Sequence, residues 1–425
     1  MNLPKKTRIL RAVILRKKKL TLKTMIKSKS NQKDFRFCRV ADLYYQMVEK
    51  QDPNPYSHQT ISVLIQRKIN ELKSDGIQIN DPNVVPRFVD FINYPSNIDY
   101  KRNIDNFFNL SYPSKIVPIE GEHPNIDNLL KHIFQDQYNL IMDYLTILWR
   151  DPLQILPIIC IVSEIQHTGK TTFVNLMNMI FGQNAVTISS YEFSQKFNAL
   201  YATSGVICIE ESCFSDPAIK EKIKQLSTSY TIQYRNLFIG YKTIGFYGKF
   251  ILTSNNELDF INLSPTDIRF WIVKPKKIET FDPSFHSKLE SEIPQFVYTL
   301  TNRKIETPND SRMWFDPSLL KNDALNNVIE NSQSNCAKEI MITIGDIIGS
   351  NHEFKATLSE IYTLLDSKFS KNKIKNALTH ELGYSVSEYP VAYSSLNVSN
   401  KKGRIYTFHH DDFIDSTTNN DTVPF

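Results

Sequence analysis

Lys170 and Thr171 stand near the end of the segment SEIQHTGKTT, residues 163–172. A glycine followed by an ammonium and a hydroxyl is a set of groups that can hold a triphosphate. The Lys170 amine would act as a point charge on the β- and γ-phosphates, and Thr171 Oγ would ligate Mg²⁺. Upstream, PIICIVS reads as a strand ending at Ser163. Downstream, KTTFVNLMNMIFG reads as an amphipathic helix closed by Gly182. Strand, loop, helix is the context such a loop requires, because the free amides and partial positive charge of the helix start then face the anion. Gln166, His167, Thr168, Gly169, Lys170, Thr171 and Thr172 are the residues expected to line it, with the backbone passing closest to phosphate at Gly169. Glu164 and His167 occupy positions where glycine is usual. A bare Gly-Lys-Thr decides little by itself.

Three downstream stretches add chemistry. In GVICIEESCF an apolar strand delivers Glu210 and Glu211 to its carboxyl end. Ligands of open α/β sheets bind at that edge, where one carboxylate can hold hydrated Mg²⁺ and the other polarise a water. Glu at 210 in place of the usual Asp is one methylene longer, which favours metal contact through water. In GKFILTSNNE a second strand ends in Ser254, Asn255 and Asn256, and a neutral amide can orient water without repelling it. In SPTDIRFWIVKP, Arg269 precedes another strand and could stabilise charge on a transferred phosphoryl group. Taken singly, these are a pair of solvated acids, a turn and a surface arginine.

The order of the four motifs, within about a hundred residues, resembles the superfamily 3 helicases, AAA+ ATPases of viruses, phages and mobile elements. More narrowly it is similar to the phage and poxvirus-type primase-helicase group, over about residues 110 to 280. The resemblance implies Lys170 and Thr171 as the Walker A pair, Glu210 and Glu211 as Walker B, with Thr171 and Glu210 on the metal. It implies Asn255 as sensor and Arg269 as an arginine finger lent by a neighbouring subunit. ATP and Mg²⁺ would be the cofactors, a homo-oligomeric ring (a hexamer) the assembly, single-stranded or forked DNA the partner, and the host cytosol the location. The stretch TSYTIQYRNLFIGYKTIGFYGK alternates as a β-hairpin with a turn near Asn236 or Gly240. In the resembling family such a hairpin tracks the DNA backbone. Arg235 and Lys242 are the candidates here, with Lys249 third, against the reading of an ordinary half-exposed hairpin.

The elements that must position these residues follow from composition and pattern. Short apolar runs alternating with helical stretches over residues 155–275 are the signature of an α/β domain whose strands are buried on both faces. The expected organisation is a basic arm at 1–33, a mainly helical region at 34–135, the AAA+ P-loop ATPase core at 136–305, a linker at 306–338 and a winged-helix domain at 339–425. RVADLYYQMVEK and ISVLIQRKINELK carry apolar residues at i, i+3, i+4 spacing and read as helices. NIDNLLKHIFQDQYNLIMDYLTILWRDP reads as one or two helices stopped by Pro152.

The arm holds 12 Lys or Arg and no acid, which leaves 38 basic and 45 acidic residues in the remainder, a net of −7. The overall +5 is therefore local to the arm. It reads as a solvated tail, a nucleic-acid-binding tail or a transit peptide. The five cysteines form no CxxC pair, which fits reduced thiols rather than a disulfide framework. The histidines show no metal-ligand spacing, and no apolar run is long enough for a membrane span. No acidic pair before the ATPase core looks like a primase metal site, so a primase or polymerase partner would be a separate chain.

The sequence thus points to an ATP-dependent ring helicase that unwinds DNA during replication of a phage or mobile element. The alternative is a non-hydrolysing DNA-binding or origin-recognition protein with a degenerate phosphate loop. A P-loop switch or small-molecule kinase is disfavoured, because NNELD lacks the lysine of a base-reading motif.

Overall fold

A computed structural model of the chain describes residues 35–51, 60–210, 217–236, 239–258, 260–264, 267–280, 282–332, 334–348, 352–395 and 398–413. The basic arm and Glu211 lie outside the described residues. The chain divides into two compact units, Met1–Val48 with Val63–Arg87 and Glu49–Ser62 with Phe88–Phe425.

Strands dominate where the apolar spacing predicts helices. β1 (Phe37–Val40), β2 (Leu43–Gln51), β3 (Thr60–Arg67) and β4 (Arg87–Phe88) form a sheet of order β3-β2-β1-β4. The expected helices over RVADLYYQMVEK and ISVLIQRKINELK reduce to α1 (Ile69–Ser74). Three features outweigh the helical spacing. Tyr44, Tyr45 and Val48 in β2, and Ile61, Val63 and Ile65 in β3, are residues that lose side-chain freedom in helices and pack well on a pleated surface. Ala41, at φ 51°, reverses the chain between β1 and β2. The Arg39 guanidinium donates to the Ala41 carbonyl at 2.8 Å and to Asp42 at 2.7 Å, closing that turn. Phe37, Leu72 and Val85 make the small core of this unit.

The larger unit opens with β5 (Phe91–Ile92), β6 (Asn103–Ile104) and β7 (Phe107–Asn109). α2 (Pro124–Phe134) and α3 (Tyr138–Arg150) follow, separated where Gln135 takes φ 48°. The central sheet comprises β8 (Ile158–Val162), β9 (Ala185–Ser189), β10 (Val206–Glu210), β13 (Lys249–Ser254) and β14 (Phe270–Val273), in the order β14-β8-β13-β10-β9, and every adjacent pair is parallel. β11 (Thr231–Asn236) and β12 (Ile239–Gly245) form the expected hairpin.

The four apolar runs are strands because both faces of this sheet are covered. Ile159, Ile161, Cys208, Ile251 and Trp271 pack with α2, α3, α4 (Lys170–Phe181) and α7 (Phe285–Asn302) in one core. Ile158, Cys160, Ile207, Leu252 and Ile272 enter the other core. α5 (Ser190–Ser194) and α6 (Pro217–Ser227) complete this part of the chain. α2 therefore belongs to the core of the sheet and not to a separate N-terminal region. The segment expected as a linker is also packed: Phe315 and Leu320 join the first core, and Leu325 and Val328 of α8 (Asp323–Ser332) join the second. Its Asn- and Asp-rich composition masks apolar residues spaced to bury one helix face.

The C-terminal part runs α9 (Asn335–Ile348), β15 (Glu353–Thr357), α10 (Leu358–Leu364), α11 (Lys371–Asn376), β16 (Val391–Ser395), β17 (Val398–Gly403) and β18 (Ile405–His409). β15 pairs antiparallel with β18, and β16 with β17, around a core that includes Ile340, Ile344, Ile361, Ile374 and Phe408. Cys160, Cys208 and Cys336 are buried thiols outside any disulfide. Among the described residues no helix is long and apolar enough to cross a membrane.

Candidate functional site

The parallel register brings the carboxyl ends of the sheet strands to one edge. Val162 pairs with Ser254, Ile209 pairs with Leu252, and Glu210 pairs with Ser189. The strand ending in Ser254 thus lies between the one that leads into the 163–172 loop and the one that ends in Glu210. Three of the sequence motifs meet at this edge: residues 163–172, half-buried Glu210 and exposed Asn255.

The loop is fixed from several sides. The Ser163 amide donates to the Ser254 carbonyl at 3.1 Å. The Glu164 amide donates to Glu257 Oε1 at 3.0 Å, and the other Glu257 oxygen pairs with Lys274 Nζ at 2.5 Å. The Ile278 amide donates to the His167 carbonyl at 2.8 Å. The two residues at which the chain turns most sharply are His167, at φ 59°, and Gly169, at φ 90°. The left-handed region favours glycine, and among residues with a Cβ it admits His, Asn and Asp most readily. This explains why a histidine can replace a usual glycine here. Gly169 sits on Leu129 and Ile133 of α2, so the lead-in helix forms the floor of the loop. α2 itself is held at its start by Glu292, which accepts from the amides of Asn125 at 2.9 Å and Ile126 at 3.0 Å.

Gly169 is the N-cap of α4 and offers no side-chain cap, and no acid occupies the first helical turn. The first amides of α4 are thereby left for an outside acceptor. Lys170 Nζ donates to the Ser163 carbonyl at 2.7 Å and approaches the Ile165 carbonyl at 3.5 Å. An ammonium has three donors, so one remains for a ligand oxygen. Partial burial lowers the Lys170 pKa, and the charge of Glu257 opposes that shift. Gln166 and Thr171 are exposed and Thr172 is half-buried. Thr168 is buried, and its Oγ1 has no hydrogen-bond partner, an orphaned donor at the base of the loop of the kind a bound oxygen would satisfy. These features fit a phosphate chain with its Mg²⁺.

Arg269 is not brought to this edge. It precedes β14, and its carbonyl accepts from the Ile158 amide at 2.8 Å, at the amino end of β8. In a parallel sheet that is the end opposite the loop, so Arg269 cannot serve the Lys170 of its own chain.

The hairpin candidates differ from one another. Arg235, on β11, donates through Nη2 to Gln233 Oε1 at 3.1 Å, and its amide is held by Asn198 at 2.8 Å. Lys242, on β12, is paired with Asp90 and lies over the Phe91 ring. Lys249 is buried and donates to the carbonyls of Pro152 and of Tyr247, the latter at 2.8 Å. Burial pushes its amine down to about 7, with Asp151 opposing. It is a structural residue and cannot meet DNA. The close seating of the hairpin base depends on Gly245, where a Cβ would stand 2.9 Å from the Asn93 carbonyl.

Sequence reasoning missed Glu257. Its signal is its place directly after Asn255-Asn256, at the end of a strand adjacent to the loop strand.

The fold is a mixed α/β architecture built on a five-stranded parallel sheet, with its candidate site at the carboxyl edge. Residues 161–269 match a family described as a family of unknown function (DUF5906). No curated protein matches. The fold is similar to that of the apo structure of the NrS-1 C terminal region (305-718), with a TM-score of 0.58 and 14% identity, covering 87% of this chain and 95% of that chain. The A form apo structure of the same region gives a TM-score of 0.55 and 14% identity, over 85% of this chain and 96% of that chain.

Proposed function

We propose that the chain is an ATP-dependent ring helicase of the superfamily 3 type, acting on single-stranded or forked DNA in the replication of a phage or mobile element. The observation that carries this reading is the meeting of the Ser163–Thr172 loop, Glu210 and Asn255 at the carboxyl edge of one parallel sheet.

In this reading the α4 amides and Lys170 hold the β- and γ-phosphates. Glu211 would draw a proton from a water that the Asn255 amide orients toward the γ-phosphorus, with ADP as the leaving group, while Glu210 serves the metal. Mg²⁺, held by Thr171 and through water by Glu210, would neutralise charge on the phosphates. Arg269, at the opposite end of the sheet, acts on the nucleotide of a neighbouring protomer, which makes a closed ring (a hexamer) the working form. Arg235 contacts the DNA backbone, whereas Lys242 would first have to leave Asp90. The order α9, β15, α10, α11, β16, β17, β18 supports a winged-helix reading of the C-terminal part. A primase or polymerase partner would be a separate chain, and the buried thiols of Cys160, Cys208 and Cys336 suit a reducing cytosol.

The test is ATP turnover with and without single-stranded DNA. The proposal expects DNA to stimulate turnover and Lys170→Ala to abolish it. Nucleotide binding with no turnover in the wild type would instead favour the non-hydrolysing DNA-binding alternative, to which Glu164 and His167 in the loop also point.

A further inference from the structure

Away from the sheet edge, a cleft of 610 Å³ opens between the 194–201 segment, α6 and the hairpin. Lys196, Lys222 and Arg235 line it, with Tyr201 and Asn198, and no Asp or Glu is among the described residues that do. Lys222 Nζ donates to the Phe193 carbonyl at 2.5 Å and lies 4.4 Å from the centroid of that ring. One carbonyl satisfies one of its three donors. Burial lowers the Lys222 pKa, and the neighbouring charge of Arg235 lowers it further. Two cations held together in a half-buried place repel each other, and an anion between them would relieve that repulsion.

Tyr201 supplies an independent observation. It is 1% exposed, and its hydroxyl is buried without a hydrogen-bond partner. A buried phenol without a hydrogen-bond partner is uncommon, and a bound anion is one group that would satisfy it.

We propose that this cleft is a second anion site that takes a phosphomonoester or polyphosphate, supplied either by a free nucleotide or by the 5′-phosphorylated end of a strand. The charge sets the class. A phosphodiester within a strand carries one negative charge, less than the cations lining the cleft can hold. A phosphomonoester carries about −1.5 to −2 and offers three strong acceptors. The aromatic faces of Phe193 and Tyr201 are buried, so the cleft recognises phosphate and not a stacked base. This goes beyond the proposed helicase activity, which places free nucleotide only at the Lys170 loop and an internal backbone phosphate at Arg235, whereas here Lys196 and Lys222 define a place for a terminal phosphate.

The full chain carrying Lys170→Ala, which disables the first site, is titrated with labelled ADP, with a 5′-phosphorylated oligothymidylate and with the same strand ending in a 5′-hydroxyl. The expected result is binding of ADP, or tighter binding of the phosphorylated strand than of the hydroxyl strand. ADP binding identifies the free nucleotide as a source, and strand discrimination identifies the strand end. Lys222→Gln and Lys196→Gln should each weaken that binding about tenfold, the loss of one charged hydrogen bond. Lys196 is exposed, so its variant decides the matter if the Lys222 variant does not fold. Equal affinity for the two strands with no ADP binding, or unchanged affinity in either folded variant, overturns the proposal.

Discussion

The Ser163 amide donates to the Ser254 carbonyl across 3.1 Å. This bond ties the start of the 163–172 loop to the residue immediately before Asn255. The group that would orient water and the loop that would hold phosphate therefore share one rigid edge. Glu257 adds a second tie two residues further along, through the Glu164 amide.

Glu257 is accordingly expected to act as a positioning residue. Glu257→Ala removes the acceptor of the Glu164 amide and the partner of Lys274. The loss of one hydrogen bond to a charged group, on the order of 1.5 kcal/mol, should raise the KM for ATP about tenfold with a smaller effect on kcat. Glu257→Gln keeps an acceptor and should recover much of the loss. An unchanged KM in Glu257→Ala would remove Glu257 from the loop's support.

His167 carries a backbone cost that glycine would not. His167→Gly should leave thermal stability within about 0.5 kcal/mol, because relief of the left-handed φ is offset by the greater freedom of the unfolded glycine. His167→Val should cost about 1–2 kcal/mol, since a branched Cβ fits that region poorly. Chemical unfolding of the two variants checks this. Equal stability of the valine and glycine variants would contradict the loop conformation.

Lys249 predicts a pH dependence of stability. Its folded value of about 7 lies below the unfolded value of about 10.4. Between those values the unfolded chain binds a proton that the folded chain does not. Stability should therefore rise with pH through that window, by at most about 1.4 kcal/mol per pH unit from this group. Below pH 7 both states are charged and the burial cost is present in full. Lys249→Met removes the titration. Urea unfolding at several pH values between 6.5 and 9.5 should show its stability gain over the wild type shrinking as pH rises. A constant difference would contradict the assignment.

Much of the site is legible in the sequence, because parallel strands buried on both faces appear as unbroken apolar runs that end in polar residues. PIICIV, VICIE, FILTS and FWIV are of this kind, and their ends define the edge where Lys170, Glu210 and Asn255 meet. The N-terminal strands are not legible in this way. β2 and β3 are covered unevenly, so Tyr44, Met47 and Val48 fall at a spacing shared with a helix. Phe315, Leu325 and Val328 are hidden for a related reason, since the polar residues around them resemble a linker. The ion pair of Lys242 with Asp90 and the burial of Lys249 depend on segments remote in sequence. No local pattern carries that information.

The central claim is that two protomers share each nucleotide, one giving Lys170 and the other Arg269. Lys170→Ala and Arg269→Ala are each expected to abolish turnover, the second while still binding ATP. Mixing the two inactive variants in equal amounts under conditions that allow subunit exchange tests the claim most directly. A random ring pairs an intact loop with an intact arginine at about a quarter of its boundaries, so ATP turnover should reappear at about that fraction of the wild-type rate. A mixture as inactive as its components, or an Arg269→Ala protein with normal turnover by itself, would contradict the shared site.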